Sequence, residues 1–344
     1  MNKTLGIKWT QLGIAVAVGL AIVVGLLALL RLDITGQSGS RLSEEYSYDL
    51  EDLAKIDPNL ILYEESSAPI STGFQQAHSI TARSGSIYVA GDMSVREFST
   101  DGKLLSEIVF SDMPRCLAIT DSAIYVAMKD HVEEYDHQGD RLAAWQSPGD
   151  EAVLTSIAVS KDDVFVADAG NRVVLRYDRT GELINRIGEK DEARNIPGFV
   201  VPSPYFDLAV AGDGLLRVTN PGRHHIEAYT FNGDREFWWG EFSSGPGGFC
   251  GCCNPVSFAM LDDDSYVTCE KGLIRVKVYD PDGVFVGVVA GPEQLAPGGV
   301  SHVCLDPVQC QTGGFDVAVG ADGRVFVLDT INNVVRVFTR IQEQ

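Results

Sequence analysis

The chain has 344 residues, of which 45% are apolar, so it is long enough to bury one large core or two moderate ones. Its 48 acidic residues outnumber its 27 basic residues and give a formal net charge of −21 at pH 7. This charge argues against a nucleic-acid partner, because phosphate binding needs clustered Lys and Arg, and it disfavours contact with anionic lipid surfaces.

The first predicted element is an uncharged apolar run from Leu12 to Leu30. As a helix the run would be about 28 Å long, against a hydrocarbon core of roughly 30 Å. Lys3 and Lys8 precede it, so the positive-inside rule predicts a cytoplasmic N-terminus and a periplasmic or extracellular location for the rest of the chain. A cleaved signal peptide is the alternative, but the run is longer than a usual h-region and lacks a small-x-small ending. We therefore predict that residues 1–34 form a cytoplasmic tip and a single transmembrane signal anchor.

The next segment, residues 35–57, is polar and charged and shows no apolar periodicity. Such a composition buries too little apolar surface to fold by itself. It is therefore predicted to be a stalk between the anchor and a domain at residues 58–344.

One sequence unit recurs six times in that domain. Each copy has a short apolar strand, a turn rich in Gly, Asp or Ser, and an alternating second strand, which is typical of a β-hairpin. A second hairpin follows in five copies, and positive φ is favoured at its turn residues Gly102, Gly139, Gly181, Gly233 and Gly283. Equivalent small residues, from Thr81 to Ala318, are 37 to 59 residues apart, and four strands at this spacing are typical of propeller blades.

The sixth unit stops one strand short, after Arg340. An apolar strand without another partner, Asn59 to Glu65, precedes the first unit, and pairing it with the last unit would close the ring and remove two exposed strand edges. A two-sheet sandwich holds fewer strands than six such units require. The predicted fold is therefore all-β, a six-bladed β-propeller closed by an N-terminal strand and preceded by one transmembrane helix.

The segment VADAGNRVVLRYDRTGELI, Val166 to Ile184, resembles an NHL repeat, in which the second strand ends in a pattern like D-x-x-N-R-[VI]. The full match consists of Asp168, Asn171 and Arg172, and the partial match in the last unit of Asp329 and Asn332. The resemblance covers about residues 59–340 and implies an NHL-type propeller in which these side chains tie neighbouring strands together. NHL propellers serve as binding platforms and interaction modules and occasionally as enzymes, so the resemblance does not name an activity.

Propellers usually bind ligands where the loops leading into the innermost strands surround the central channel, a surface called here the channel mouth. The positions at the channel mouth are predicted to be His78, Arg115, Thr155, Phe206, Val256 and Phe315. Trp238 and Trp239 are further candidate contacts, because neighbours on a strand face opposite sides and one of them would face outward.

A catalytic metal at this mouth is the enzymatic alternative. The amidating lyases and calcium-dependent lactonases that this fold resembles hold zinc or calcium there with several His, Asp, Asn or Glu side chains. Among the six mouth positions only His78 could ligate a metal, and Arg115 would repel one. We therefore favour no cofactor and keep a metal-dependent lyase or lactonase as an alternative.

Six cysteines lie in predicted loops or at a strand end, namely Cys250, Cys252, Cys253, Cys269, Cys304 and Cys310. In an oxidising compartment this even number predicts three disulfides, and Cys304 with Cys310 is the pair easiest to defend. The alternative is a redox or soft-metal site at the Cys250, Cys252 and Cys253 array. Cys116, in an innermost strand, is predicted to be a buried free thiol.

The closed repeat and a channel mouth poor in metal-ligating side chains predict a membrane-anchored, extracytoplasmic binding or scaffold module rather than an enzyme. The expected partners are a protein or small-molecule ligand on the propeller face and the membrane through residues 12–30, with no nucleic acid. A redox or metal protein is the first alternative, and the lyase or lactonase is the second.

Overall fold

The computed structural model of the chain describes residues 13–14, 16–24, 53–296 and 314–342. The chain divides into two units, Met1–Tyr48 and Asp49–Gln344. The described residues of the first unit are helical and exposed. Over the described ranges, no helix is both long and apolar enough to cross a membrane. The rest of the predicted span, and the predicted stalk up to residue 52, lie outside the described residues.

The second unit is built from six antiparallel sheets, each of which is one blade of a propeller, so the predicted all-β six-bladed fold is confirmed. Two short strands, β1 (Tyr63–Glu65) and β2 (Ile70–Ser71), precede the first blade. Blade 1 contains β3 (Ala77–Arg83), β4 (Ser86–Gly91), β5 (Ser94–Ser99) and β6 (Leu104–Val109). Blade 2 contains β7 (Cys116–Ile119), β8 (Ile124–Ala127), β9 (Val132–Tyr135) and β10 (Arg141–Ala144). Blade 3 contains β11 (Leu154–Val159), β12 (Asp163–Asp168), β13 (Val173–Asp178) and β14 (Leu183–Ile187).

The remaining blades continue in chain order, and the first strand of each blade lies next to the channel. Blade 4 contains β15 (Leu208–Val210), β16 (Leu216–Asn220), β17 (His225–Tyr229) and β18 (Arg235–Trp239). Blade 5 contains β19 (Ser257–Met260), β20 (Tyr266–Cys269), β21 (Val276–Tyr279) and β22 (Phe285–Ala290). Blade 6 contains β23 (Asp316–Val319), β24 (Val325–Asp329) and β25 (Val334–Arg340). Single helical turns lie at Pro58–Leu60, Pro221–Arg223 and Pro292–Leu295.

The sixth blade is completed from the other end of the domain. Strand β1 pairs antiparallel with β25, with Tyr63 opposite Arg340 and Glu65 opposite Phe338. Strand β2 pairs with the beginning of the same strand, where Ile70 lies opposite Val335. The predicted closure by an N-terminal strand is therefore confirmed, but the strand is shorter than the predicted Asn59 to Glu65, because residues 58–60 form a helical turn and only Tyr63–Glu65 pairs as β1.

Apolar side chains fill the spaces between neighbouring blades. Trp239 of blade 4 packs on Tyr266 and Tyr279 of blade 5, with ring centroids 4.8 and 4.7 Å apart. Trp145 of blade 2 packs in the same way on Tyr177 of blade 3, at 5.1 Å. Because both faces of a blade pack on neighbours, its inner strands are buried on both sides and show little polar alternation.

The outer hairpin of a blade packs on the blade before it through its turn glycine. All five predicted turn glycines have positive φ: Gly102, Gly139, Gly181, Gly233 and Gly283. At Gly283 a Cβ atom would lie 2.3 Å from Cγ of Trp239, and at Gly181 it would lie 2.5 Å from Cδ1 of Trp145. Glycine is therefore required here both by the backbone and by the close approach of the indole ring.

The residues of the D-x-x-N-R pattern lie at the turn between β12 and β13. Asp168 Oδ2 accepts a hydrogen bond of 2.6 Å from Nδ2 of Asn171, and its Oδ1 accepts one of 3.1 Å from the backbone N–H of Val153, just before β11. The corresponding bond in blade 6, from Asn332 to Asp329, is 2.7 Å long. Arg172 takes a left-handed backbone conformation with φ +57, and its side chain is exposed. The aspartate therefore joins the turn to the start of its own blade.

Candidate functional site

The innermost strands of the six blades surround a central cavity of about 880 Å³. All six sequence-predicted mouth positions contribute to its wall: His78, Arg115, Thr155, Phe206, Val256 and Phe315. Three of these six positions differ from the others in the burial of their side chains. Phe206, Val256 and Phe315 are only 1–2% exposed and belong to the apolar cores between blades. Their side chains pack into the cores between blades because a blade in a propeller has neighbours on both faces.

Two exposed cations stand at the channel mouth on blade 2. Arg115 directly precedes β7, and its backbone N–H donates to the carbonyl of Ala127. Lys129 follows β8, and its carbonyl accepts from Leu154 N at the start of blade 3. Among the described residues neither side chain forms an ion pair or a hydrogen bond. Sequence reasoning found Arg115 but missed Lys129, which lies in the loop that leaves the second strand.

His78 and Thr155 complete the polar part of the mouth. Nε2 of His78 lies 3.1 Å from the sulfur of Met113. Burial, followed by the charge of Arg115, holds the pKa of His78 below its ordinary value, so the imidazole is neutral at pH 7. Thr155 Oγ1 donates a hydrogen bond of 2.6 Å to the carbonyl of Phe206 and so joins blade 3 to blade 4.

Two carboxylates that sequence reasoning missed lie one residue deeper in the channel wall. Asp207 Oδ2 accepts a hydrogen bond of 2.8 Å from the backbone N–H of Phe258, which joins blade 4 to blade 5. Asp316 Oδ2 accepts one of 2.9 Å from the backbone N–H of Ile80, which joins blade 6 to blade 1. Burial and then the charge of Asp316 raise the pKa of Asp207, and burial likewise raises that of Asp316.

The same repeat position carries a smaller polar residue in the other blades. These residues are Ser79, Cys116, Ser156 and Ser257. Ser257 Oγ donates a hydrogen bond of 2.9 Å to the carbonyl of Phe315 and joins blade 5 to blade 6. The signal for the two aspartates was present in FDLAV and FDVAV, where Asp directly follows a mouth position. The level below the mouth is therefore acidic, whereas the mouth itself is cationic on one side.

The cysteine loop lies between β18 and β19. Cys250, Cys252, Cys253 and Cys269 are free thiols, so the predicted disulfides among them are wrong. Cys269 instead packs as a small hydrophobe in the core shared by blades 5 and 6, with no exposed surface. Cys304 and Cys310 lie outside the described residues. Cys116 is a buried free thiol, as predicted.

A buried group of charges fixes this loop. Glu270 accepts hydrogen bonds of 2.7 and 3.2 Å from Arg275, and Nζ of Lys277 lies 3.0 Å from its Oε2. The same groups hold the loop backbone, because Glu270 accepts from the N–H of Cys250 at 2.7 Å and Lys277 donates to the carbonyl of Gly248 at 2.6 Å. Burial lowers the pKa of Lys277 to about 8. None of the three charged side chains is more than 1% exposed, so the loop is anchored to the core rather than free on the surface.

The two neighbouring tryptophans lie away from the channel. Both belong to β18, the outermost strand of blade 4. Trp239 is 7% exposed and packs between blades, whereas Trp238 is 50% exposed and stacks on His225 at 4.1 Å. One side chain faces inward and one outward, but neither lines the channel mouth, because β18 is the strand of blade 4 that lies farthest from the channel.

Within the described part of the chain, no group of three or more His, Cys, Asp or Glu side chains is arranged to hold a metal ion. Two adjacent histidines, His224 just before β17 and His225 at its first position, have different partners. His224 Nε2 lies 2.6 Å from the carbonyl of Gly251, and His225 Nδ1 lies 3.6 Å from Glu227.

No family model and no curated protein matches the chain. Solved structures match its fold. A structural genomics protein of unknown function from Bacteroides thetaiotaomicron is 13% identical, with a TM-score of 0.58 over 80% of this chain and 73% of that one. A streptogramin B lyase is 11% identical, with a TM-score of 0.53 over 80% and 97%. A catalytically inactive virginiamycin B lyase from Staphylococcus aureus, solved with quinupristin, is 12% identical, with a TM-score of 0.54 over 81% and 100%. At these identities the likeness shows the propeller fold alone.

Proposed function

We propose that the chain is a membrane-anchored, extracytoplasmic propeller of the NHL type that acts as a binding module, and that its ligand presents an anionic group to the channel mouth. The observation that carries the ligand class is the pair of exposed cations, Arg115 and Lys129, at the opening of a concave cavity. They stand out in a chain whose formal net charge is −21.

The electrostatics of the channel favour an anion at the mouth and disfavour one further inside. Arg115 and Lys129 have no ion-pair partner among the described residues, so an anionic ligand does not have to displace one. Asp207 lies below them with a pKa raised to about 7, so at pH 7 it carries part of a negative charge and disfavours an anion that moves deeper. The ligand is therefore held at the mouth by its anionic group, and its remaining part meets the polar wall formed by His78 and Thr155.

The ligand class is tested by thermal shift and calorimetry with a panel of small organic carboxylates and phosphates. Replacing both Arg115 and Lys129 by Ala is expected to weaken binding of a hit at least tenfold, about 1.4 kcal/mol. Lys161→Ala is the matched control, because this lysine is exposed at the opposite end of the innermost strand of blade 3. Equal loss in the control and in the double variant would overturn the proposal, as would a panel without any hit.

The anchor and the location rest on the apolar run Leu12 to Leu30 and on the lysines before it. The full chain is expected to remain in the membrane pellet after alkaline carbonate extraction. Its propeller is expected to be digested by protease added to the outside of intact spheroplasts or cells. Release by carbonate would overturn the proposed anchor, and protection of the propeller from the added protease would overturn the proposed location. Neither result would bear on the proposal of an anionic ligand.

A further inference from the structure

Cys252 and Cys253 form a close pair of thiols in the loop between blades 4 and 5. Their sulfur atoms are 3.3 Å apart, and both residues are free. Cys252 is exposed, whereas Cys253 is only 3% exposed. One sulfur is therefore accessible to a reagent in solution, and the other is held directly behind it.

The backbone on both sides of the pair is fixed. Before it, the carbonyl of Gly251 accepts a hydrogen bond of 2.6 Å from Nε2 of His224. After it, the side chain of Asn254 makes two hydrogen bonds of 2.9 Å with the backbone N–H and carbonyl of Lys271. Because these anchors flank the pair, the two sulfurs are kept together.

We propose that Cys252 and Cys253 are a reversible redox pair that closes into a vicinal disulfide when it meets a low-molecular-weight disulfide. The exposed Cys252 thiolate attacks one sulfur of the reagent and forms a mixed disulfide with it, while the reagent's S–S bond breaks and its other half leaves as a thiol. The Cys253 thiolate then attacks the Cys252 sulfur and releases the second half of the reagent as a thiol. In total the two cysteines lose two electrons and form one disulfide, and the reagent disulfide gains these electrons and becomes two thiols. The protons of the two cysteine thiols are transferred to the two reagent thiols.

The geometry makes such a bond labile rather than structural. Neighbouring Cα atoms across a trans peptide are about 3.8 Å apart, whereas ordinary disulfides join Cα atoms roughly 4.4–6.8 Å apart. A disulfide between neighbours is therefore strained, and strained, exposed disulfides are reduced more easily than structural ones. The pair is thus suited to switching.

The pair lies close to the channel mouth. Lys271, which binds Asn254, places its ammonium group 4.6 Å from the centre of the Tyr205 ring. Tyr205 lines the cavity and accepts a hydrogen bond of 3.0 Å from the backbone N–H of Gly314 at the start of blade 6. Lys271 therefore connects the loop to a residue of the mouth wall.

The test uses the full chain, reduced and then equilibrated in buffers with increasing ratios of oxidised to reduced glutathione. Free thiols are alkylated after an acid quench, and peptides are read by mass spectrometry. At oxidising ratios the peptide that carries Cys252 and Cys253 is expected to lose two hydrogens and to escape alkylation, and dithiothreitol is expected to reverse both changes.

Variants separate this step from other thiol chemistry. Cys253→Ser is expected to leave Cys252 as a stable mixed disulfide with glutathione, because the second attack is lost. Cys250→Ser is the matched control and is expected to leave the midpoint unchanged within twofold. The proposal is overturned if the peptide stays fully alkylated at every ratio, or if Cys252 is found joined to Cys250, Cys304 or Cys310.

Discussion

Arg336 and Glu65 are 271 residues apart in the chain, and their side chains meet across the closure of the ring. Nε and Nη2 of Arg336 donate hydrogen bonds of 2.8 and 2.6 Å to the two carboxylate oxygens of Glu65, and Nη1 donates to the carbonyl of Gln294. A planar guanidinium is required for this two-point contact, which a lysine cannot make. The pair therefore fixes β1 on β25 beyond the backbone ladder.

Arg336→Met is expected to lower the free energy of unfolding by about 1–2 kcal/mol, because it removes charge-assisted hydrogen bonds from a partly buried carboxylate. The hydrogen bond from Arg336 holds the pKa of Glu65 below its ordinary value, so this stability is present above the unfolded pKa and is lost on acidification. Chemical denaturation at pH 7 and pH 4 measures both effects. Arg324→Met, which breaks an exposed pair with Asp322 in the same blade, should change stability by less than about 0.5 kcal/mol. Equal effects of the two substitutions would contradict the assignment.

Gly283→Ala is expected to destabilise the propeller by about 2 kcal/mol or more. The new methyl group meets the indole ring of Trp239 and also strains a backbone with φ +79. Gly85→Ala is the matched control, since Gly85 has φ +80 but nothing within 4 Å of a Cβ atom, and it should cost only about 1 kcal/mol. Thermal unfolding compares the two. If both variants melted at the same temperature, the close contact between the hairpin and the preceding blade would not contribute to stability.

Asp207→Asn is expected to change the pH dependence of stability. Burial and the charge of Asp316 raise the pKa of Asp207 from its ordinary value of 3.8 to about 7. The folded state therefore holds this proton when the unfolded chain has lost it, and the free energy of unfolding falls as pH rises from about 4 to about 7. The Asn variant lacks this fall, so it should gain stability relative to the native chain over that range, on the order of 4 kcal/mol at most.

Urea denaturation between pH 4 and pH 8 measures this difference. Asp213 in the same blade is the control, because its pKa is shifted in the opposite direction. Its burial raises the pKa, but hydrogen bonds from Arg217 and Leu215 outweigh burial and hold it below the ordinary value. Asp213→Asn should therefore be less stable than the native chain above the unfolded pKa, by an amount that no longer changes with pH there. Parallel curves for Asp207→Asn and the native chain would show that the channel carboxylate ionises normally.

Glu270→Gln is expected to destabilise the domain by about 3 kcal/mol, because it leaves Arg275 and Lys277 buried without a negative partner. The loop that they anchor should loosen, and alkylation of Cys250 should become faster. Glu236→Gln, at an exposed position on β18, should leave both measurements unchanged. Native stability with an unchanged alkylation rate in Glu270→Gln would mean that the buried charges do not hold the loop.

The fold was predictable because its signals are local or periodic. Turn glycines such as Gly283 are required by the backbone conformation of the turn. The strand that ends at Glu65 had no partner in its own repeat, and the sixth repeat lacked one strand, so the pairing of the two could be predicted. The register along the innermost strands was also predictable, so all six mouth positions reached the channel wall.

What sequence reasoning missed depends on side-chain direction and on contacts between distant segments. Phe206 and Phe315 turn into the cores between blades, while the adjacent Asp207 and Asp316 line the channel. Alternation along a strand does not reveal this when both faces of the sheet are buried. The disulfides were inferred from an even number of cysteines, but Cys269 is enclosed in an apolar core that no pattern along the chain indicates.

The pairing of β1 with β25 has a consequence for synthesis on the ribosome. Arg336 follows Glu65 by 271 positions, which take roughly 15 to 55 s to translate, so β1 emerges long before its partner exists. During that interval the nascent chain presents a strand edge that other chains could extend into an aggregate. Two adjacent glutamates, Glu64 and Glu65, occupy this edge, and their charges oppose association with other acidic chains until Arg336 arrives to neutralise one of them.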